Sequence, residues 1–194
     1  MVIRPGLVQG VASVDYQGTA KDLVHHLKLL GSGSVSRLMA LRMAESVRSL
    51  GAVENLGFGL PVGSVQNSPQ KLIYLVPVPS RPEMTRIRGF VPSVVLANKL
   101  AKELQKLGVR ARVRNLVRLN RNVKDQAGLT RQGRHDNLLG AMIAGSPVGV
   151  GDEAAVLWMV DDVVTTGASL RELHRCLVAA GWNVQSFVTF AETL

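Results

Sequence analysis

The amino-acid sequence predicts an α/β domain, a mainly parallel sheet flanked by helices and preceded by an N-terminal helical hairpin. Three observations predict it. Residues 72–78 (LIYLVPV) and 156–160 (VLWMV) are compact apolar runs, the composition of strands covered on both faces. Each is followed by a segment with apolar residues at helical spacing that a glycine closes, Gly108 after the first and Gly181 after the second. The resulting order of strand, helix, strand, loop, strand, helix, strand suits parallel strands joined by crossovers.

Taken in order, the first fifty residues read as helical. Residues 20–30 (AKDLVHHLKLL) and 34–50 (SVSRLMALRMAESVRSL) carry apolar residues near helical spacing, and the glycines of residues 31–33 separate them. Residues 51–70 are rich in Gly, Pro, Ser and Asn and read as a loop or short irregular strands. Residues 1–70 thus form a hairpin and connector belonging to the same unit as a core of residues 71–194. Pro77 and Pro79 mark the exit of the first strand into an irregular loop. Pro92 suits the first turn of a helix on which Leu96, Leu100, Leu104 and Leu107 make one stripe, with Lys99, Lys102, Glu103 and Lys106 away from it. Residues 109–119 (VRARVRNLVRL) alternate enough for a strand with a basic face. Residues 120–137 are polar and glycine-punctuated, a long loop leading into a short helix. A helix over residues 168–180 and a buried strand over 184–190 (VQSFVTF) complete the chain.

With 194 residues, 46% of them hydrophobic, the chain is large enough for one substantial core. No apolar run approaches the roughly 20 residues of a membrane span, and the N-terminal MVIRPGLVQG lacks a signal-peptide core and cleavage pattern. No membrane insertion and a cytoplasmic location are therefore expected. A single cysteine, Cys176, rules out an internal disulfide and a cysteine-rich zinc site, and reads as a small buried hydrophobe. The net charge of +9 is local: residues 71–135 carry 15 Lys or Arg against 3 Asp or Glu. Such a block favours polyanions such as nucleic acid, nucleotides or phosphorylated sugars. The competing reading is a solvated surface of long cationic stems. An aromatic content of 4% leaves few rings for stacking bases, so any DNA contact would be chiefly with phosphate.

The most informative stretch is VLWMVDDVVTTGAS, residues 156–169. Thr165, Thr166, Gly167, Ala168 and Ser169 form a turn into a helix, with backbone N–H groups, the positive end of the helix dipole, hydroxyls, and a glycine that admits close approach. That is a cradle for a phosphate. Asp161 and Asp162 beside it would repel a second phosphate; they suit neutral hydroxyls or a divalent cation. Phosphate next to vicinal hydroxyls describes a ribose 5-phosphate. The bland alternative is that the acids cap a turn and Thr165 or Ser169 caps the helix.

This string closely resembles the signature of the type I phosphoribosyltransferases, which bind 5-phosphoribosyl 1-diphosphate (PRPP). The resemblance implies a type I phosphoribosyltransferase-like fold, with Asp161 and Asp162 as the catalytic pair on the ribose hydroxyls and Thr165 to Ser169 as the 5-phosphate loop. It also implies Mg²⁺, held through PRPP and the two acids, and a pyrophosphate loop at Pro79, Ser80 and Arg81, to which Arg86 and Arg88 add cations. Residues 76–90 (VPVPSRPEMTRIRGF), 125–137 (DQAGLTRQGRHDN) and the N-terminal DYQGTAKDLVHHLK are similar to the ComF/GntX family, a related group associated with DNA uptake and competence. The segment holding Lys124, Gln126 and Arg134 resembles the mobile hood that closes over substrate in such enzymes. Two departures stand out. The family's cysteine-rich zinc module is missing, so no zinc is expected, and Val91 stands where Asn generally follows Arg-Gly-Phe.

Three functions stay open on these grounds: an active phosphoribosyltransferase using PRPP and Mg²⁺, a non-catalytic module binding single-stranded DNA or a competence helicase, and a PRPP-sensing regulator of nucleotide metabolism. A fold hosts many functions, and catalysis by positioning leaves no reactive side chain to tell them apart. The acceptor substrate is not legible, and an oligomer is left open.

Overall fold

The computed structural model describes residues 7–49, 72–120, 138–149, 152 and 155–193. In chain order its elements are β1 (Gly10–Asp15), α1 (Gly18–Leu30), α2 (Gly33–Ser49), β2 (Ile73–Pro77), α3 (Pro82–Arg88), α4 (Pro92–Lys106), β3 (Ala111–Val113), β4 (Val117–Leu119), β5 (Met142–Ala144), β6 (Val156–Val164), α5 (Ala168–Ala179) and β7 (Val184–Glu192). Five strands make one parallel sheet in the order β1-β7-β6-β2-β3. β4 and β5 form a separate antiparallel pair. This is a Rossmann-like α/β arrangement with helices on both faces of the sheet.

One face is covered by α1, α2 and α4. Val24 and Leu27 of α1, Met39, Met43 and Val47 of α2 and Leu96, Leu100 and Leu104 of α4 pack in one cluster with Ile73, Leu75, Trp158, Val160, Val188 and Phe190 of the sheet. The other face takes α5 through Leu170, Leu173, Cys176 and Leu177, against Val76, Leu157, Met159 and Phe187, with Met142 of β5 in the same cluster. Strands β2 and β6 are therefore sandwiched, and the five residues of β2 are all buried.

Several expectations change. The first fifty residues are not wholly helical: residues 10–15 form the edge strand β1, paired with β7 from Gly10 opposite Phe187 to Asp15 opposite Glu192. The loop after β2 contains a helix, α3, with Pro82 in its first turn and Gly89 closing it at φ 78°. The single strand over residues 109–119 is two, because pairing with β2 ends at Val113 and the chain then crosses to pair with β5. On α4, Leu107 is exposed beyond the helix, whereas Glu103 is buried and held by Lys106 at 2.8 Å. Gly108 stops the helix at φ 81°. The acid pair does not end its strand but lies inside β6, which runs to Val164.

Met43 is fully buried between α2 and the sheet. Met43→Ala should cost about 2–5 kcal/mol, with far-ultraviolet dichroism and tryptophan fluorescence reporting one coincident urea transition. A near-neutral substitution, or an early separate transition, would show that the hairpin is not part of the core.

Candidate functional site

The connections leaving β2 and β6 diverge. From β2 the chain crosses through α4 to β3 on one side, and from β6 it crosses through α5 on the opposite face to β7. Such a switch point opens a crevice at the carboxyl ends of its two strands. Here β2 pairs with β6 as far as Pro77 opposite Val160, and the Val78 N–H donates to the Val160 carbonyl at 2.9 Å. The chain then turns away into Pro79, Ser80 and Arg81, while β6 goes on pairing with β7 to Val164. One edge of β6 from Asp161 onward faces a cleft of about 370 Å³. Successive residues on a strand point to opposite faces, yet both acids line this cleft because it opens along the strand edge.

Of the residues singled out by sequence, the cleft brings together Pro79, Ser80, Arg81, Arg88, Asp161, Asp162, Thr165 and Ser169. Arg86 is exposed on α3 and does not line it. Lys124, Gln126 and Arg134 fall outside the described residues. The loop that follows β2 is braced from α4: the buried Ser93 hydroxyl donates to the Val78 carbonyl at 2.6 Å, fixing the chain where it leaves the sheet.

The acid pair has a partner that sequence reasoning missed. Lys28, in the last turn of α1, places its Nζ 3.1 Å from Asp162 Oδ2; the Asp162 side chain is 8% exposed and the lysine 38%. Burial works to lower the Lys28 pKa, but the charges of Asp162 and Asp161 and the hydrogen bond to Asp162 outweigh it, and the net shift is upward. Asp161 receives the Asp162 N–H on Oδ1 at 2.9 Å. That bond and the Lys28 charge do not offset burial and the neighbouring Asp162 carboxylate, which together push the Asp161 carboxyl up from 3.8 to about 8. No signal near residue 161 pointed to Lys28, which lies on a helix far from the acids in the sequence. Tyr16, just beyond β1, also lines the cleft and was not anticipated.

The turn after β6 is partly self-satisfied. Gly167 takes φ 77° as the N-cap of α5, and the Ala168 N–H donates to the Thr166 hydroxyl at 3.3 Å. The hydroxyl that takes a backbone N–H at the helix start is thus that of Thr166, and the N-cap is Gly167 rather than Thr165 or Ser169. Thr165 to Ser169 line a niche of only about 20 Å³. A Cβ on Gly167 would lie 3.1 Å from a Leu7 methyl and 3.3 Å from Arg171 Nη1, so a side chain there is disfavoured by the positive φ and would have to push these side-chain ends aside. Arg171, one turn into α5, brings a guanidinium to the turn.

The far wall of the cleft, Leu119, Leu138 and Met142, belongs to the β4–β5 region. Glu172 of α5 ties it down, accepting the Met142 N–H at 3.0 Å and the Arg175 guanidinium at 2.7 and 2.8 Å, while Arg175 donates to the Met142 carbonyl at 3.3 Å. Burial alone would raise the Glu172 pKa, but these bonds and one from the Gly140 N–H hold it below the usual value. The basic block is partly consumed in similar ties: Lys106 on Glu103, and Arg114 on Asp152 at 3.4 Å while stacked 4.9 Å over the Tyr74 ring. Cys176 is buried, and burial together with the charge of Glu172 pushes its thiol up to about 11, which leaves it unreactive.

Among the described residues, no cluster of three or more His, Cys, Asp or Glu could hold a metal ion, and no helix is long and apolar enough to cross a membrane. Two carboxylates, one already opposed to an ammonium, do not make a closed cation cage; they fit a cation that arrives with oxygen ligands of its own. No family model matches the chain, and comparison with curated proteins finds no match.

A carboxyl whose pKa is raised on folding binds its proton more tightly in the folded state. Its contribution to stability is fully present below pH 3.8 and is lost as pH rises toward about 8. Asp161→Asn should therefore raise the melting temperature of the ligand-free protein by roughly 2–4 °C at pH 8, and by less at pH 5. A substitution that destabilises equally at both pH values would contradict this account of the pair.

Proposed function

We propose that the chain is a phosphoribosyltransferase-family protein resembling the ComF group, which binds PRPP or a related ribose 5-phosphate ligand with Mg²⁺ in the switch-point cleft. With an acceptor in place it transfers the phosphoribosyl group. One observation carries the reading: a single cleft gathers two carboxylates, the hydroxyls of Thr165 and Ser169, and the Ser80–Arg81 loop with Arg88. Hydroxyl-seeking and anion-seeking groups thus stand around one space, as a sugar bearing phosphates at both ends requires.

In this reading Asp161 and Asp162 accept hydrogen bonds from the ribose 2- and 3-hydroxyls, which would favour the charged form of Asp161 against the burial and the Asp162 charge that raise its pKa. Thr165, Ser169 and the start of α5 take the 5-phosphate. A phosphate is larger than the niche at Gly167, so its binding displaces the Leu7 and Arg171 side chains that crowd the turn. Ser80, Arg81 and Arg88 hold the diphosphate. In the transfer, the bond from the anomeric carbon to the diphosphate oxygen breaks, that oxygen keeps the electron pair, and the acceptor nucleophile forms the new bond. The acid pair then opposes the positive charge that develops on the sugar. Magnesium, when bound with the diphosphate, supplies charge neutralisation for the leaving group, with Asp161 and Asp162 as the protein oxygens available to it.

PRPP with Mg²⁺ should raise the melting temperature, by the equivalent of about 2.7 kcal/mol at a hundredfold excess over Kd. Asp161→Asn, expected to be at least as stable as the wild type, should lose that shift. An intact protein that shows no shift with PRPP, ribose 5-phosphate or diphosphate would remove the reading. Diphosphate release across a panel of bases and amines then separates a transferase from a binder.

A further inference from the structure

Lys28 is held in place to a degree that a surface lysine is not. Its neighbour Leu27 is fully buried in the core, and Gly31 ends α1 in a left-handed turn at φ 58°, its N–H bonded to the Leu27 carbonyl at 3.0 Å. The Phe90 ring lies against that glycine, about 3.0 Å from where a Cβ would stand, and joins the end of α1 to the segment between α3 and α4. The turn bearing Lys28 is thus pinned both to the core and to the chain that follows the Ser80–Arg81 loop. From there the side chain enters the cleft and meets Asp162.

An ammonium carries three N–H donors in a compact charge, and Asp162 takes one of them. Lys28 lines the large cleft with Ser80, Arg81 and Arg88, and also with Thr165 and Ser169, but not the narrow niche around Gly167. Helix α1 contacts α3, the helix that carries Arg88, and its end meets Phe90 just beyond, which sets the Lys28 turn beside the arm of the cleft assigned to the diphosphate. We propose that Lys28 is a substrate-contacting specificity residue, which neutralises Asp162 and presents its remaining donors to the diphosphate of the ligand, so that the site favours a 1-diphosphorylated ribose over ribose 5-phosphate. The proposal rests on the functional reading above. It assigns to the N-terminal hairpin a direct part in choosing the ligand.

The test measures Kd by calorimetry for PRPP with Mg²⁺ and for ribose 5-phosphate, in the wild type, Lys28→Met, Lys28→Arg, and Lys21→Met as an exposed control on the same helix. Lys28→Met should weaken PRPP by about tenfold or more, the scale of a lost charge-assisted hydrogen bond, and ribose 5-phosphate by less than about threefold. Lys28→Arg should recover part of the PRPP affinity, and Lys21→Met should change neither. If Lys28→Met does not fold, Lys28→Gln, which keeps a donor for Asp162 without the charge, is measured in its place with the same expectation. Equal losses for both ligands would reduce Lys28 to a structural partner of Asp162, and unchanged PRPP affinity would remove it from the site; either result overturns this proposal alone. A wild type that binds neither ligand overturns the functional reading and this proposal with it.

Discussion

Two adjacent carboxylates inside a buried strand form the constraint around which the rest of the molecule is arranged. An unpaired carboxylate is among the most costly groups to remove from water, and a second beside it adds repulsion that low polarity magnifies. Three features relieve this load. The chain leaving β2 turns away after Val78, so among the described residues β6 pairs with β7 alone from Asp161 onward. The Asp162 N–H turns onto the Asp161 carboxylate. The last turn of α1 delivers an ammonium to Asp162. The first relief opens the cleft, and the third ties to it the N-terminal hairpin, which its own apolar face already docks on the sheet.

The parts of this arrangement legible in the sequence are those written locally. β2, β6 and β7 appear as apolar runs because both faces of the sheet are covered, and α4 and α5 appear through their stripes and glycine stops. The acids and the turn that follows lie within nine residues, so their chemistry could be read together. β1 was not legible: its sequence GVASVD is short and built of small residues, and it becomes a strand through pairing with β7, where Gly10 leaves room for the Phe187 ring. The arginine alternation over residues 109–119 looked continuous because side-chain alternation survives a change of partner strand. Lys28 was hidden for a related reason. On its own helix it resembles Lys21, and only the fold brings it to an acid far along the chain.

The opposite wall of the cleft depends on a second buried carboxylate, with the reverse balance. Glu172 has an adjacent guanidinium and backbone N–H donors, and its pKa falls where that of Asp161 rises. Its bonds, with the Arg175 contact to the Met142 carbonyl, fasten a three-residue strand that would have little reason to hold its position from a single antiparallel pairing. The wall formed by Leu119 and Met142 is thereby coupled to α5, the helix that begins at the Thr-Thr-Gly turn. Both sides of the cleft are referred to rigid elements, β6 and α5 on one hand and α4 through Ser93 on the other.

The contrast between the two carboxylates bears on what the cleft is for. Glu172 is compensated as a structural anion should be, and Asp162 has its lysine. Asp161 has, among the described residues, one backbone N–H and the charge of Lys28, which do not offset burial and the neighbouring carboxylate. Stability alone would favour an amide or an apolar residue at that point of β6. Local chemistry that opposes stability, set on the edge of a cleft at a topological switch point, is the kind of position at which a ligand is bound. Hydroxyl donors or a ligand-borne cation would compensate Asp161, and Arg81, Arg88 and Lys28 line the same cleft. In the proposed reading a phosphorylated sugar would bring hydroxyls to the acids and phosphates to the cations in one molecule.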